Sequence, residues 1–175
     1  MSTILRRMPF YEDSTSLRIP SGPAIVIKPM QIVVWVGIFP MGEPTPPDIQ
    51  HRIPAVMDTG FNGAFLLRED HWYDWLRIPL DVDRFPYAGT LAVHGEKAPL
   101  FEGDVWLFSN VSGFRDQLQP IPTVRLETDG GIGLCSSDIH QLRLPLLGTS
   151  ILYMVRLRLA VNGEHLTVNL RGPLE

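Results

Sequence analysis

The first segment whose residue types suggest chemistry is the point where an apolar stretch meets a carboxylate. Residues 53–57 are Ile-Pro-Ala-Val-Met, Asp58-Thr59-Gly60 follow directly, and Gly63 comes shortly after. Glycine lets the chain turn sharply, so backbone N–H groups can approach the carboxylate. The Thr59 hydroxyl is suited to a hydrogen bond across a tight interface. Asp-Thr-Gly is also an ordinary turn sequence, and alone it is a weak indication of catalysis.

A second segment, near the C-terminus, strengthens the first. Leu146-Leu147-Gly148 is followed by residues 149–154, where we expect one or two helical turns, and then by an alternating apolar pattern. The two segments together resemble the retropepsin-like aspartic protease domain. In that family an apolar-apolar-Asp-Thr-Gly strand precedes an apolar-apolar-Gly strand, a short helix and closing strands. The run Asp-Thr-Gly-Phe is similar to a prokaryotic subgroup of single-domain members, and the resemblance covers about residues 24–171.

The resemblance implies a fold and a mechanism. The fold would be mostly β: a retropepsin-like acid-protease domain at 24–175, built as one closed or partly open β-barrel with one or two short helices. Asp58, Thr59 and Gly60 would form the catalytic motif of an aspartic endopeptidase that hydrolyses a peptide or protein substrate. Such hydrolysis needs two carboxylates that share one proton, because like charges about 3 Å apart do not both ionise.

Only one such motif is present in the chain. The similar run at 128–130, Thr-Asp-Gly, is scrambled in order and has no apolar strand before it. We therefore expect the second carboxylate to be Asp58 of another subunit, in a homodimer whose two-fold axis brings the two copies together.

The resemblance also implies a flap over the active site. Residues 87–97 read Tyr-Ala-Gly-Thr-Leu-Ala-Val-His-Gly-Glu-Lys. Val93, His94, Gly95 and Glu96 would lie near the flap tip and contact substrate, with Gly95 supplying flexibility. A plain surface hairpin explains the same residues almost equally well, because loops with glycine are routine.

One residue departs from the family pattern. Many members carry Ser, Thr or Ala after Asp-Thr-Gly, where a small hydroxyl often hydrogen-bonds the carboxylate, whereas this chain has Phe61. Phe61 favours an alternative function, a non-catalytic module that keeps the fold for peptide binding or assembly. A third interpretation is a β-rich structural domain with a coincidental Asp-Thr-Gly.

Composition limits the class of protein. The chain has 175 residues, 45% of them apolar and 19% charged, which is typical of one globular domain. The 15 Lys and Arg residues against 19 Asp and Glu residues give a net charge of −4, which argues against a nucleic-acid partner. The five histidines show no paired ligand spacing, so we expect no metal and no cofactor.

The sequence also indicates the cellular location of the protein. Its longest apolar run, 32–39, is far shorter than the roughly 20 residues of a membrane helix, so we expect no membrane association. The single cysteine, Cys135, excludes an internal disulfide, and no secretory core follows the N-terminus. The expected location is cytoplasmic.

The remaining patterns predict the elements that position these residues. Residues 1–23 are predicted to form an extended N-terminal arm, 69–76 a helix, and 109–120 and 127–142 loops. The predicted strands lie at 24–28, 31–39, 53–57, 64–67 and 120–126, with 91–93 and 100–108 as two arms of a hairpin. The alternating residues 155–161 and 166–170 predict a C-terminal hairpin, closed at Asn162-Gly163 by a type I′ turn.

Overall fold

The architecture is mostly β, as the sequence predicts. The computed structural model describes residues 3–20, 22–43, 49–120, 124–128 and 130–172. The strands in these ranges are β1 (Thr3–Pro9), β2 (Thr15–Arg18), β3 (Ala24–Ile27), β4 (Val33–Phe39), β5 (Ile53–Asp58), β6 (Phe65–Arg68), β7 (Tyr87–Val93), β8 (Glu96–Phe101), β9 (Asp104–Leu107), β10 (Val124–Glu127), β11 (Ile132–Cys135), β12 (Leu146–Gly148), β13 (Arg158–Asn162) and β14 (Thr167–Arg171).

Most of these strands form one mixed sheet. Its nine strands have the order β10-β9-β4-β5-β12-β6-β11-β8-β7. The two edge strands, β10 and β7, are not hydrogen-bonded to each other among the described residues, so the sheet does not close into a barrel. The expectation of a closed barrel is therefore wrong, because closure requires every strand to have two partners.

The two segments that carry the resemblance are neighbours in this sheet. Strand β5 lies between β4, which is antiparallel to it, and β12, which is parallel to it. The parallel register pairs Leu146 with Val56 and Gly148 with Asp58. Residues about ninety positions apart in the chain thus end their strands side by side.

The N-terminal segment is not an arm. Strand β1 pairs antiparallel with β14, and β14 pairs with β13, which makes a three-stranded sheet from both ends of the chain. Ile4, Leu5 and Met8 are each 1% exposed and belong to the main hydrophobic core. The prediction of an extended arm at 1–23 is wrong, because irregular spacing of the apolar residues conceals a strand with register shifts.

The C-terminal hairpin is confirmed, but its turn is not the predicted one. Strands β13 and β14 pair from Arg158–Arg171 to Asn162–Thr167, which leaves residues 163–166 as a four-residue connection. The Asn162 side-chain oxygen accepts hydrogen bonds from the backbone N–H groups of Glu164 and His165, both at 3.1 Å. This local bonding replaces the two-residue turn.

The predicted loop at 127–142 contains a central strand. All four residues of β11 are buried, and β11 lies between β6, which is parallel to it, and β8, which is antiparallel to it. Gly133 conceals this strand in the sequence. A Cβ atom at Gly133 would lie 2.9 Å from the end of the Leu66 side chain, so a larger residue there would make that flexible side chain shift.

The predicted arm at 100–108 is two strands instead of one. Strands β8 and β9 are separated at Glu102 and Gly103, and β8 pairs with β7 whereas β9 pairs with β4 and β10. A Cβ atom at Gly103 would lie 3.2 Å from the Phe39 carbonyl oxygen, so the chain crosses close to the backbone of β4 there.

The two helical segments that the sequence predicts are both present. Residues His71–Leu76 form a π-helical segment, which ends at Arg77 in the left-handed conformation with its N–H bonded to the Trp72 carbonyl at 3.1 Å. Residues Thr149–Met154 form α1. A single 3-10 turn spans Ile49–His51. Across the described ranges, no helix is long and apolar enough to cross a membrane.

Candidate functional site

The Asp58 carboxylate lies at the end of β5, where the chain leaves the sheet. It is partly buried, and its Oδ1 accepts a hydrogen bond from the Gly60 N–H at 2.8 Å. A Cβ atom at Gly60 would lie 3.3 Å from the same oxygen, so the glycine leaves room for the carboxylate to rest against the backbone. Thr59 and Gly60 are exposed, which brings this turn to the molecular surface.

Strand β12 and helix α1 brace the loop that follows Asp58. The Gly148 N–H donates to the Ala64 carbonyl at 3.0 Å, and the Ser150 hydroxyl donates to the Gly63 carbonyl at 2.7 Å. A Cβ atom at Gly148 would lie 1.9 Å from the Gly63 carbonyl oxygen. Glycine at 148 therefore allows the contact that fixes the loop and, through it, Asp58.

Phe61 has a packing role. Its ring lies against Gly63, where a Cβ atom would be 2.4 Å from the ring. It packs on a hydrophobic cluster that includes Leu66, Val93 and Leu142. The only hydrogen bond to the Asp58 side chain among the described residues comes from Gly60, so the Phe61 side chain adds none.

The segment predicted as a flap forms a hairpin with a two-residue tip. Strands β7 and β8 pair up to Val93 and Glu96, and both intervening residues are left-handed, with φ of 47° at His94 and 83° at Gly95. Two successive positive φ values define a type I′ turn. Val93 is buried in the same cluster as Leu142, so the end of the hairpin rests on the body of the protein.

Asp58 and the hairpin tip line one cavity of about 580 Å³. Of the residues predicted for the site, the structure places Asp58, Thr59, Val93 and His94 in the lining. Gly60 holds the carboxylate from the side, whereas Gly95 and Glu96 are exposed beyond the lining.

Sequence reasoning missed two segments of this cavity. They are residues 28 and 30–32, which follow β3, and residues 141–144, which precede β12. The second segment carries a detectable signal, because Leu142, Leu144 and Leu146 alternate with other residues as in a half-buried strand. The first segment, a turn with Met30 at a φ of 61°, has no comparable signal.

The described lining of the cavity has more positively than negatively charged side chains. Asp58 is the only carboxylate in the described lining, whereas Lys28 and Arg143 both contribute cations. No second carboxylate of the described residues faces Asp58 there. Asp129, the aspartate of the scrambled motif, lies outside the described residues.

Other reactive side chains lie away from this cavity. Burial raises the pKa of the Cys135 thiol to about 11, so the thiolate is disfavoured and Cys135 packs as a small apolar residue. Burial lowers the pKa of His71 to about 4, although the neighbouring Asp70 acts in the opposite direction. No group of three or more His, Cys, Asp or Glu side chains within the described ranges could hold a metal ion.

Comparison of the chain with family models, curated proteins and solved structures gives no match.

Proposed function

We propose that the protein is an aspartic endopeptidase that acts as a homodimer with the retropepsin-like arrangement of two Asp58 carboxylates. The observation that carries the proposal is the position of Asp58. It is a partly buried carboxylate at a strand end, held by the Gly60 N–H at 2.8 Å, and it opens on a cavity that a hairpin tip also lines. The parallel pairing of Gly148 with Asp58 adds support, because it joins the two motifs of the resemblance.

The chemistry requires a pair of Asp58 side chains that share one proton. The ionised carboxylate takes a proton from a bound water, and the water oxygen attacks the peptide carbonyl carbon. The protonated partner donates a hydrogen bond to the carbonyl oxygen and stabilises the charge that develops there. Transfer of a proton to the amide nitrogen then lets the C–N bond break, which gives a free carboxyl group and a free amine.

The surface around Asp58 is suited to a second copy of the chain. Thr59 and Gly60 are exposed beside the carboxylate, and helix α1 is tied to the same loop by the Ser150 hydrogen bond. Tyr153 on α1 is 86% exposed. Tyrosine is enriched in protein interfaces, because it buries a large apolar ring and still offers a hydroxyl. A two-fold axis near Thr59 would bring both Asp58 side chains together.

The alternative is a non-catalytic module that binds peptides in the same cavity. Phe61 favours this function, because it leaves the Asp58 side chain with a single hydrogen bond among the described residues. Both functions use the same cavity, and they differ in whether a bound peptide is cleaved.

The test is the Asp58→Asn variant. Asparagine is nearly isosteric with aspartate but cannot share the acid proton or activate water, so peptidase activity should disappear while the circular dichroism spectrum and melting temperature stay close to those of the wild type. Activity is measured on a mixed peptide library, with the products identified by mass spectrometry. Equal cleavage by both proteins would overturn the catalytic role of Asp58. Binding without cleavage by the wild type would establish the non-catalytic alternative.

A further inference from the structure

We infer that the Asp58 cavity selects peptides that carry an Asp or Glu side chain near the bond that is cleaved. This inference rests on the proposed function and specifies its substrate class. The cavity has one carboxylate and two cations in its described lining, although the whole chain has a net charge of −4. The local charge is thus opposite in sign to the average.

Backbone hydrogen bonds fix both cationic segments beside Asp58. The Met57 N–H donates to the Ile32 carbonyl at 2.9 Å, which ties the turn that contains Lys28 to the end of β5. The Val56 N–H donates to the Pro145 carbonyl at 2.8 Å, which ties the segment that contains Arg143 to the same strand. These bonds hold the segments that carry Lys28 and Arg143 beside Asp58, and both residues contribute to the cavity lining.

Neither cation is neutralised within the described part of the chain. No ion pair there involves Lys28 or Arg143, and both residues are exposed. One guanidinium nitrogen of Arg143 donates to the Val26 carbonyl at 2.9 Å, which orients the side chain. A guanidinium has five N–H donors, so this bond leaves donors for a carboxylate of the substrate.

The proton shared by the two Asp58 side chains increases the excess of positive charge in the site. In the proposed dimer, two Asp58 side chains carry one negative charge between them, whereas each subunit contributes Lys28 and Arg143. The complete site therefore has an excess of positive charge. A peptide with an acidic side chain would reduce this excess, whereas a basic peptide would increase it.

Binding to the Asp58→Asn protein separates this inference from catalysis. The probes are fluorescent decapeptides with blocked termini, identical except for Glu, Gln or Lys at a central position, so that a side chain supplies the only variable charge. Anisotropy should show that the Glu peptide binds about fivefold more tightly than the Gln peptide at low salt. The difference should shrink at high salt, because ions screen exposed charges.

Two further substitutions, each made in the Asp58→Asn protein, show which residues cause the preference for the Glu peptide. Lys28→Glu should reduce the preference for the Glu peptide and improve binding of the Lys peptide, whereas Arg158→Glu, a matched change of an exposed cation on β13 outside the cavity, should alter neither. Equal affinity for the Glu and Gln peptides, or the same response to both variants, would overturn the inference. If the peptides bind selectively and the wild type cleaves none of them, the inference about charge holds and the proposed endopeptidase activity fails.

Discussion

Gly148 packs directly against the loop that follows Asp58, and there is no room for a side chain at this position. A Cβ atom there would lie 1.9 Å from the Gly63 carbonyl oxygen and 2.8 Å from that of Phe61. Both neighbours are backbone atoms, which cannot move without moving the loop. We expect Gly148→Ala to lower the free energy of unfolding by at least about 2 kcal/mol, measured by urea denaturation.

The matched control for that variant is Gly163→Ala. Gly163 lies in the C-terminal turn and does not have a left-handed φ, and no heavy atom of the described residues other than its chain neighbours lies within 4 Å of a Cβ position there. Its replacement should change the free energy of unfolding by less than about 0.5 kcal/mol. Equal stability of the two variants would show that β12 does not pack against the loop as described.

His71 makes stability depend on pH. Its ring is fully buried, Nδ1 accepts the Arg68 N–H at 3.2 Å, and burial lowers the pKa from 6.5 to about 4. The unfolded chain therefore binds a proton between these pH values whereas the folded protein does not, and stability falls as the pH is lowered through this window. The expected loss between pH 7 and pH 4 is about 3 kcal/mol.

The variant that isolates this effect is His71→Gln. Glutamine does not titrate, and its carbonyl oxygen can still accept the Arg68 N–H, so the loss between pH 6.5 and pH 4 should disappear from urea denaturation curves. Burial acts to raise the pKa of Asp70, but the Arg68 hydrogen bond and the nearby charges lower it, so Asp70 loses its contribution only below its ordinary pKa near 4. A wild type equally stable at pH 7 and pH 4.5 would contradict the assignment.

The β7–β8 hairpin is the element whose geometry depends most on one turn. His94 and Gly95 both have positive φ, which glycine and asparagine tolerate and β-branched residues do not. We expect Gly95→Val to destabilise the hairpin by about 1–2 kcal/mol and to accelerate amide hydrogen exchange in β7 and β8, whereas Gly95→Asn should keep both near wild type.

The same pair of variants tests the flap. If the hairpin closes over substrate, Gly95→Val should lower kcat/KM on a cleaved peptide and Gly95→Asn should have a smaller effect. Unchanged kinetics in a valine variant with faster hydrogen exchange would show that the hairpin is only a structural edge of the sheet.

The whole molecule is expected to work only as a pair, because each chain supplies one Asp58. Wild type and Asp58→Asn are mixed in equal amounts, and subunit exchange is verified by native mass spectrometry. Random pairing leaves about a quarter of the dimers with two intact carboxylates, so peptidase activity should fall well below half. Activity per chain should also drop on dilution through the dissociation constant. Retention of half the activity after exchange would mean that each chain acts alone.

The sequence was sufficient for features that depend on neighbours in the chain. The strand that ends at Asp58, helix α1 and the C-terminal hairpin are all found where local patterns predict them. These features are local because alternation, turn residues and helix propensity act over a few residues. The resemblance placed the hairpin tip near His94 and Gly95, whereas the predicted arms at 91–93 and 100–108 left too long a connection for the two-residue turn that the structure has.

The tertiary structure alone decided what lies beside Asp58. The sequence pattern conceals β11, which contains Gly133, and it conceals β1, whose register shifts break the alternation of its apolar residues. Hydrogen bonds from β5 to the Ile32 and Pro145 carbonyls hold the segments that carry Lys28 and Arg143 beside the cavity. Sequence patterns do not encode such pairings directly, because they depend on which strands are neighbours in the sheet. The sequence by itself thus determined which carboxylate ends a strand. The order of strands in the sheet decided that Lys28, Arg143 and the tip of the β7–β8 hairpin lie around that carboxylate.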